Sequence, residues 1–152
     1  MVHFGYSITG LDKDKSAIAS KRDNNVSFKK TREVCHHIKG MNLQKAKDFC
    51  ERVMKFQEPV PFKRYHKLQA HRVGGIGPGR WPIKSAERVL ELLKEVENNA
   101  EYKGLDVDKC RIIHCCVNQA RVIKKFIPRA HGRSSPYFRR MIHIEVALVE
   151  ES

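Results

Sequence analysis

Two runs of alternating apolar and polar residues near the C-terminus constrain the fold of this chain more than any other feature. Residues 111–117 and 141–149 each alternate with a period of two, which indicates half-buried β-strands. Proline and glycine cluster between them, at residues 128–136, and these residue types favour a turn. We therefore expect two antiparallel strands joined into a β-hairpin.

The segment between these two strands is strongly basic, because no acidic residue occurs between Asp108 and Glu145. About ten residues beyond the core, at about 3.3 Å each, carry a hairpin tip roughly 30 Å outward. An isolated two-stranded ribbon is marginally stable in water, and its cations repel one another. We expect an arm over about residues 118–140 that RNA encloses, since guanidinium groups bind phosphate with paired hydrogen bonds. The predicted RNA contacts of the arm are Arg121, Lys124, Lys125, Arg129, Arg133, Arg139 and Arg140.

The whole composition supports a polyanionic partner. The 152 residues contain 30 Lys and Arg against 17 Asp and Glu, a formal net charge of +13. Binding to phosphates would release counter-ions from such a partner. No window reaches the apolar length of a membrane span, and no charged start followed by an apolar run suggests a secretory signal. The five cysteines form no disulfide framework, so a reducing compartment and no membrane partner are expected.

Three amphipathic helices are predicted before the hairpin. Apolar residues share one helical face over residues 28–38 and repeat at spacings of three and four over 43–54 and 86–100, which is typical of helices that pack on a core. Ser27 is a candidate N-cap for the first helix and Asn42 for the second. Residues 1–26 are polar and of mixed charge, so an irregular lead-in is expected before one globular domain at 27–152.

Residues 59–84 are predicted to form a basic loop, because they contain no acid and no clear period. A loop of this length is usually either functional or disordered. Its aromatic and guanidinium groups can stack on bases, although Trp81 fits a packed core residue equally well. The predicted RNA contacts of this loop are Lys63, Arg64, Arg72, Arg80, Trp81 and Lys84.

Other classes of function find less support. His114 and Cys115 are neighbours in a strand and point to opposite faces, and Cys35 lies on an apolar stripe, so neither thiol has an obvious catalytic base. The chain contains no Cys-x-x-Cys pair, which argues against structural zinc. We therefore expect no catalytic residue, metal, cofactor or stable homo-oligomer. A free RNA-binding regulator shares the charge argument and stays an alternative.

Several motifs follow one another along the chain in a specific order. Residues 128–133 read Pro-Arg-Ala-His-Gly-Arg, 38–41 read Ile-Lys-Gly-Met and 79–82 read Gly-Arg-Trp-Pro. Residues 98–106 and the His-Ile-Glu of 143–145 complete the set. Together they resemble the ribosomal protein L twenty-two family, called L seventeen in eukaryotes.

The resemblance covers nearly all of residues 27–150, and the loop 59–84 resembles the archaeal and eukaryotic branch. It implies an α+β fold of three helices packed on a small antiparallel sheet, with a long protruding β-hairpin. It also implies a structural constituent of the large ribosomal subunit that binds and organises rRNA beside neighbouring ribosomal proteins. The globular part would lie near the peptide exit of cytoplasmic ribosomes, with a nucleolar stage during assembly in a eukaryote. The residues that would line the tunnel and meet the nascent polypeptide are Arg129, Ala130, His131, Gly132 and Arg133.

Overall fold

The alternating runs and the amphipathic stripes become strands and helices in the computed structural model of the chain, which describes residues 5–151. In that part of the chain no helix is long and apolar enough to cross a membrane. The elements are β1 (Ser16–Asn24), α1 (Phe28–Ile38), α2 (Leu43–Met54), β2 (Val60–Pro61), β3 (His71–Arg72), β4 (Gly77–Arg80), α3 (Ile83–Tyr102), β5 (Cys110–Ile123), β6 (Phe126–Pro128), β7 (Ser134–Pro136) and β8 (Arg139–Glu150), with a short 3-10 helix at Val107–Lys109.

The main sheet has the antiparallel order β1-β8-β5. The most apolar strand, β8, lies in its centre, with Ser16 opposite Val149 on one side and Cys110 opposite Glu150 on the other. All three helices pack against this sheet and bury a single hydrophobic core. This architecture confirms the predicted α+β class with three helices on a small antiparallel sheet.

The expectation of an irregular segment over residues 1–26 is wrong for its second half. Residues 16–24 form β1, an edge strand that pairs with β8. Ala17 and Ala19 face the core and are buried, but alanine is a weak strand former. The strand is therefore specified by its pairing partner rather than by its own residues. Residues 1–4 of the expected segment lie outside the described residues.

The helix ends follow partly from local sequence. The side chain of Asn42 accepts a 2.9 Å hydrogen bond from the backbone N–H of Gln44, which caps α2 as expected. Ser27 is the N-cap residue of α1, but its hydroxyl makes no capping hydrogen bond. Gly40 adopts a left-handed φ of 87° after α1, and its N–H donates to the carbonyl of Ile112 at 2.7 Å. This bond ties the end of α1 to the sheet.

Residues 59–84 are more ordered than the predicted loop. They form a small sheet of order β2-β4-β3 and the first turn of α3. The carboxylate of Glu33 on α1 accepts hydrogen bonds from the backbone N–H groups of Lys63 at 3.0 Å, Arg64 at 3.2 Å and Tyr65 at 3.0 Å. The Glu33 side chain is fully buried, so three N–H donors satisfy an otherwise unsolvated charge. A loop without acids is thus fastened by an acid of a distant helix.

The hairpin extends directly from the main sheet. Strands β5 and β8 remain paired as far as Ile123 opposite Arg139, and β6 and β7 continue the ribbon from Phe126 opposite Pro136. Residues 121–140 are exposed, apart from a partly shielded Ser135. The predicted protruding hairpin is therefore present, with its turn between Pro128 and Ser134.

Candidate nucleic-acid interface

The arm carries its cations on exposed side chains outside the hydrophobic core. All seven predicted arm contacts are exposed. Among the described residues, only Arg121 of this group faces a carboxylate, with its Nε 3.4 Å from Asp23 Oδ2. The other six are solvated and have no acidic partner within residues 5–151, which is unfavourable for a ribbon with so many like charges.

Aromatic and aliphatic side chains alternate with these cations. The rings of Phe126 and Phe138 meet edge to face at a centroid distance of 5.8 Å. Both are about half exposed, as is Tyr137 at 50%. Exposed rings beside arginines form surfaces on which unpaired bases can stack. The arm therefore offers both phosphate-binding and base-stacking groups.

The tip is a tight turn with a defined backbone. The N–H of Arg129 donates to the carbonyl of Arg133 at 2.8 Å. His131 and Gly132 both adopt left-handed conformations, with φ of 60° and 64°. Glycine adopts this region without strain, which explains its place at the end of the ribbon. The five tip residues 129–133 are all exposed.

The predicted loop contacts divide into two groups. Lys63 and Arg64 lie where Glu33 anchors the chain to α1. There the Tyr65 ring is flanked by the charged groups of Lys29 at 5.5 Å and Arg64 at 5.7 Å. Sequence reasoning missed Lys29, because a cation on the polar face of a helix carries no distinguishing signal. Arg80 is exposed at the end of β4 and lies opposite Val60.

Trp81 forms the centre of the second group. Its side chain is partly exposed rather than buried in the core, and the Arg72 guanidinium lies over its ring at 4.5 Å. Arg72 is fixed there because its Nε donates to the carbonyl of Gly79 at 2.9 Å. Trp81 and Lys84 line the same cavity as Arg139 of the arm. The structure thus brings two residues predicted as RNA contacts of the loop together with one predicted for the arm.

One cluster could hold a metal ion, and sequence reasoning missed it. His114, Cys116 and Glu145 offer ligand atoms within 4.8 Å of one another. Ser7 Oγ lies 3.1 Å from His114 Nε2, 3.1 Å from Cys116 Sγ and 2.7 Å from Glu145 Oε2. The Ser7 hydroxyl therefore occupies the space between the three groups. The only sequence signal was the spacing of two residues between His114 and Cys116 on one strand.

The ionisation of this cluster follows from burial and hydrogen bonding. Burial raises the pKa of the Cys116 thiol and lowers the pKa of the His114 imidazole. Burial alone would raise the pKa of Glu145, but two Ser7 hydrogen bonds and the Arg22 charge hold that pKa below its ordinary value. A protonated thiol beside a carboxylate is a poor nucleophile. The cluster is thus suited to fastening the N-terminal segment to β5 and β8.

The remaining thiols have no catalytic character. Burial raises the pKa of Cys50 to about 12, and Cys35 lies in the core as expected. A hydrogen bond with Cys35, together with burial, raises the pKa of Cys115 well above its ordinary value. Reactive cysteines require a lowered thiol pKa and exposure, whereas Cys50 and Cys115 have raised pKa values and all three of these thiols are buried.

Fold and surface together define an α+β protein with an extended cationic hairpin. The family model described as Ribosomal protein L22p/L17e matches residues 19–149. The chain belongs to this family of structural ribosomal proteins, which is not a family of enzymes. The family recognised from the sequence motifs is thereby confirmed.

The chain is also similar to several curated archaeal proteins described as large ribosomal subunit protein uL22. It is 44% identical to that of Ignicoccus hospitalis, over 98% of this chain and 96% of the relative. It is 43% identical to that of Hyperthermus butylicus, over 96% of each chain. It is 43% identical to that of Methanococcus vannielii, over 99% of each chain. The similarity therefore extends over nearly the whole length.

Proposed function

We propose that this chain is a structural constituent of the large ribosomal subunit that binds and organises large-subunit rRNA. The observation that carries the proposal is the arm of residues 118–140, which holds seven of the chain's 30 Lys and Arg residues and none of its 17 acids. The arm is exposed and lies outside the core. If rRNA surrounds the arm, its phosphates attract the cations of the arm and offset the repulsion among them.

The distribution of acids in the body supports this assignment. On α3, Glu91 and Glu95 both contact Lys21 of β1, the second at 3.3 Å. Glu97 pairs with Lys47 of α2. Several carboxylates of the protein are thus neutralised between its own elements. The uncompensated positive charge is concentrated on the arm, where an external polyanion can reach it.

The tip is proposed to line the nascent-peptide exit tunnel, with the globular part near the tunnel exit. The tip residues 129–133 carry the family motif and form a tight, exposed turn at the far end of the ribbon. A narrow turn fits a crowded wall better than a wide loop, because it presents few side chains. The partners proposed are large-subunit rRNA, neighbouring ribosomal proteins and the nascent polypeptide, in ribosomes of the cytoplasm.

Photo-crosslinking in purified large subunits tests the proposal. Crosslinkable residues placed at positions 129 and 133 are expected to react with rRNA, while one placed at position 94, an exposed lysine of α3, serves as the comparison site. Sedimentation provides the second readout, since a structural constituent stays with large-subunit particles in moderately high salt. A protein found chiefly free, with no rRNA adducts at its arm, would instead be an RNA-binding regulator.

Deleting residues 123–138 and closing the strands with an Asn-Gly turn tests the division into body and arm. The helices and the main sheet bury their core without these residues, so the deletion variant is expected to unfold cooperatively like the full chain. It should bind large-subunit rRNA weakly. Loss of helical structure in this variant would contradict the proposed division.

A further inference from the structure

A cavity of about 540 Å³ lies where the base of the arm meets the body. Its wall combines the first turns of α1 and α3 with the segment that leads into β8. This volume lies within the range of about 300–1,000 Å³ that is common for small-molecule sites. The cavity is therefore large enough for one nucleotide, and it touches both parts of the molecule.

Three cations from three different elements line this cavity. Lys30 belongs to the first turn of α1, Lys84 to the first turn of α3, and Arg139 to the first residue of β8. No acidic side chain of the described residues lines it. The first turns of both helices also lack acids and side-chain caps, so their N–H groups add to the positive potential. The positive potential of the cavity wall therefore favours binding of an anion.

Two aromatic rings line the same cavity. Trp81 comes from the body and Tyr137 from the arm. The indole Nε1–H of Trp81 is shielded from solvent and has no hydrogen-bond acceptor among the described residues. A donor left in this state is costly and uncommon, and a bound acceptor would satisfy it. Cations and rings in one cavity match the two chemical parts of a nucleotide, its phosphate and its base.

We propose that this cavity binds a single unstacked nucleotide of rRNA and thereby fixes the arm relative to the body. Lys30, Lys84 and Arg139 would hold the phosphate, and the base would pack against Trp81 and Tyr137. This inference rests on the proposed function and adds a defined site to it. Because the wall is shared between arm and body, occupancy orients the arm at its base.

The chain contains one tryptophan, Trp81, so its fluorescence reports on the cavity directly. Full-length protein would be titrated with a large-subunit rRNA fragment, with a short single-stranded oligoribonucleotide and with AMP. Filter binding measures total RNA affinity in parallel. Stacking of a base on the indole is expected to quench its emission with both RNA probes.

Three variants separate the cavity from general charge. Tyr137→Ala is expected to weaken oligoribonucleotide binding by about tenfold, since it removes a stacking ring. Lys84→Gln is expected to reduce the slope of log affinity against log salt by about one. Lys94→Gln is the matched control, because it lies on the same helix about 15 Å further along and is exposed outside the cavity. It should retain the quenching with its amplitude unchanged.

The outcomes distinguish this inference from the proposed function. RNA that binds in the filter assay without quenching Trp81, and equally to Lys84→Gln and Lys94→Gln, overturns the cavity site but not rRNA binding. AMP that saturates the quenching while RNA fails to compete shows a free-nucleotide site and also overturns it. Absence of any RNA binding overturns both.

Discussion

Replacement of Glu33 is expected to release the basic insertion from the body. The Glu33 carboxylate is fully buried and accepts three backbone N–H groups from residues 63–65, at 3.0–3.2 Å. Glu33→Ala removes all three acceptor contacts and leaves a small cavity beside α1. Hydrogen bonds to a charged group contribute about 1.5–3 kcal/mol each.

The expected total is smaller than three times that value. Lys63 and Arg64 are exposed residues, so their N–H groups regain water once the segment detaches, and burial of the carboxylate itself has a desolvation cost. We expect a loss of about 2–4 kcal/mol in the free energy of unfolding. For a domain of this size that corresponds to a fall of roughly 4–16 °C in Tm.

Urea denaturation and amide hydrogen exchange measure the effect. The free energy of unfolding should fall, and exchange at residues 63–65 should accelerate more than exchange in β8. Glu101→Ala is the control, since Glu101 is an exposed acid on α3 and its removal should change stability by no more than about 0.5 kcal/mol. Unchanged stability together with unchanged exchange at residues 63–65 would refute the role assigned to Glu33.

Three further predictions concern the N-terminal contact, the arm and the thiols. Burial of Glu145 is outweighed by its Ser7 hydrogen bonds and the Arg22 charge, so its pKa in the folded protein lies below the ordinary value of 4.5. The ionised carboxylate therefore stabilises the fold at pH values above 4.5. This contribution is lost as the pH falls through the lowered pKa of the folded state. Ser7→Ala removes the hydroxyl hydrogen bond to Glu145 and keeps the backbone one, so it should partly reduce the loss of urea-measured stability between pH 6 and 3, and an unchanged pH profile would contradict a role for the hydroxyl. Arg129→Gln with Arg133→Gln should reduce the salt slope of rRNA binding by about two without altering Tm, and a slope equal to that of the unmodified chain would argue against phosphate contacts. The raised pKa of about 12 for Cys50 predicts that this thiol reacts with a disulfide reagent at pH 8 only in denaturant, and fast reaction in the native protein would contradict its burial.

Short-range patterns in the sequence were sufficient to predict the three helices and the two long strands of the hairpin. The three- and four-residue spacing of 43–54 and the alternation of 141–149 depend only on neighbours along the chain. The run without acids also predicted an exposed arm, because like charges at this density are excluded from a core. Ser27 shows where such reasoning is incomplete, since the residue begins α1 but its hydroxyl is not the cap.

Only the tertiary structure decided how distant segments meet. Strand β1 depends on β8, and the paired residues Ser16 and Val149 are 133 positions apart in the chain. The Glu33 contacts, the Ser7 cluster and the cavity at Trp81 likewise join residues that are far apart in the chain.

Contacts between distant segments produce no periodic pattern in the local sequence. Each participating residue, taken alone, looks like an ordinary polar, small or aromatic residue. The sequence by itself therefore determined which segments are helical, extended or cationic. The fold determined which side chains share a site, because a site depends on distances in space that local spacing does not encode.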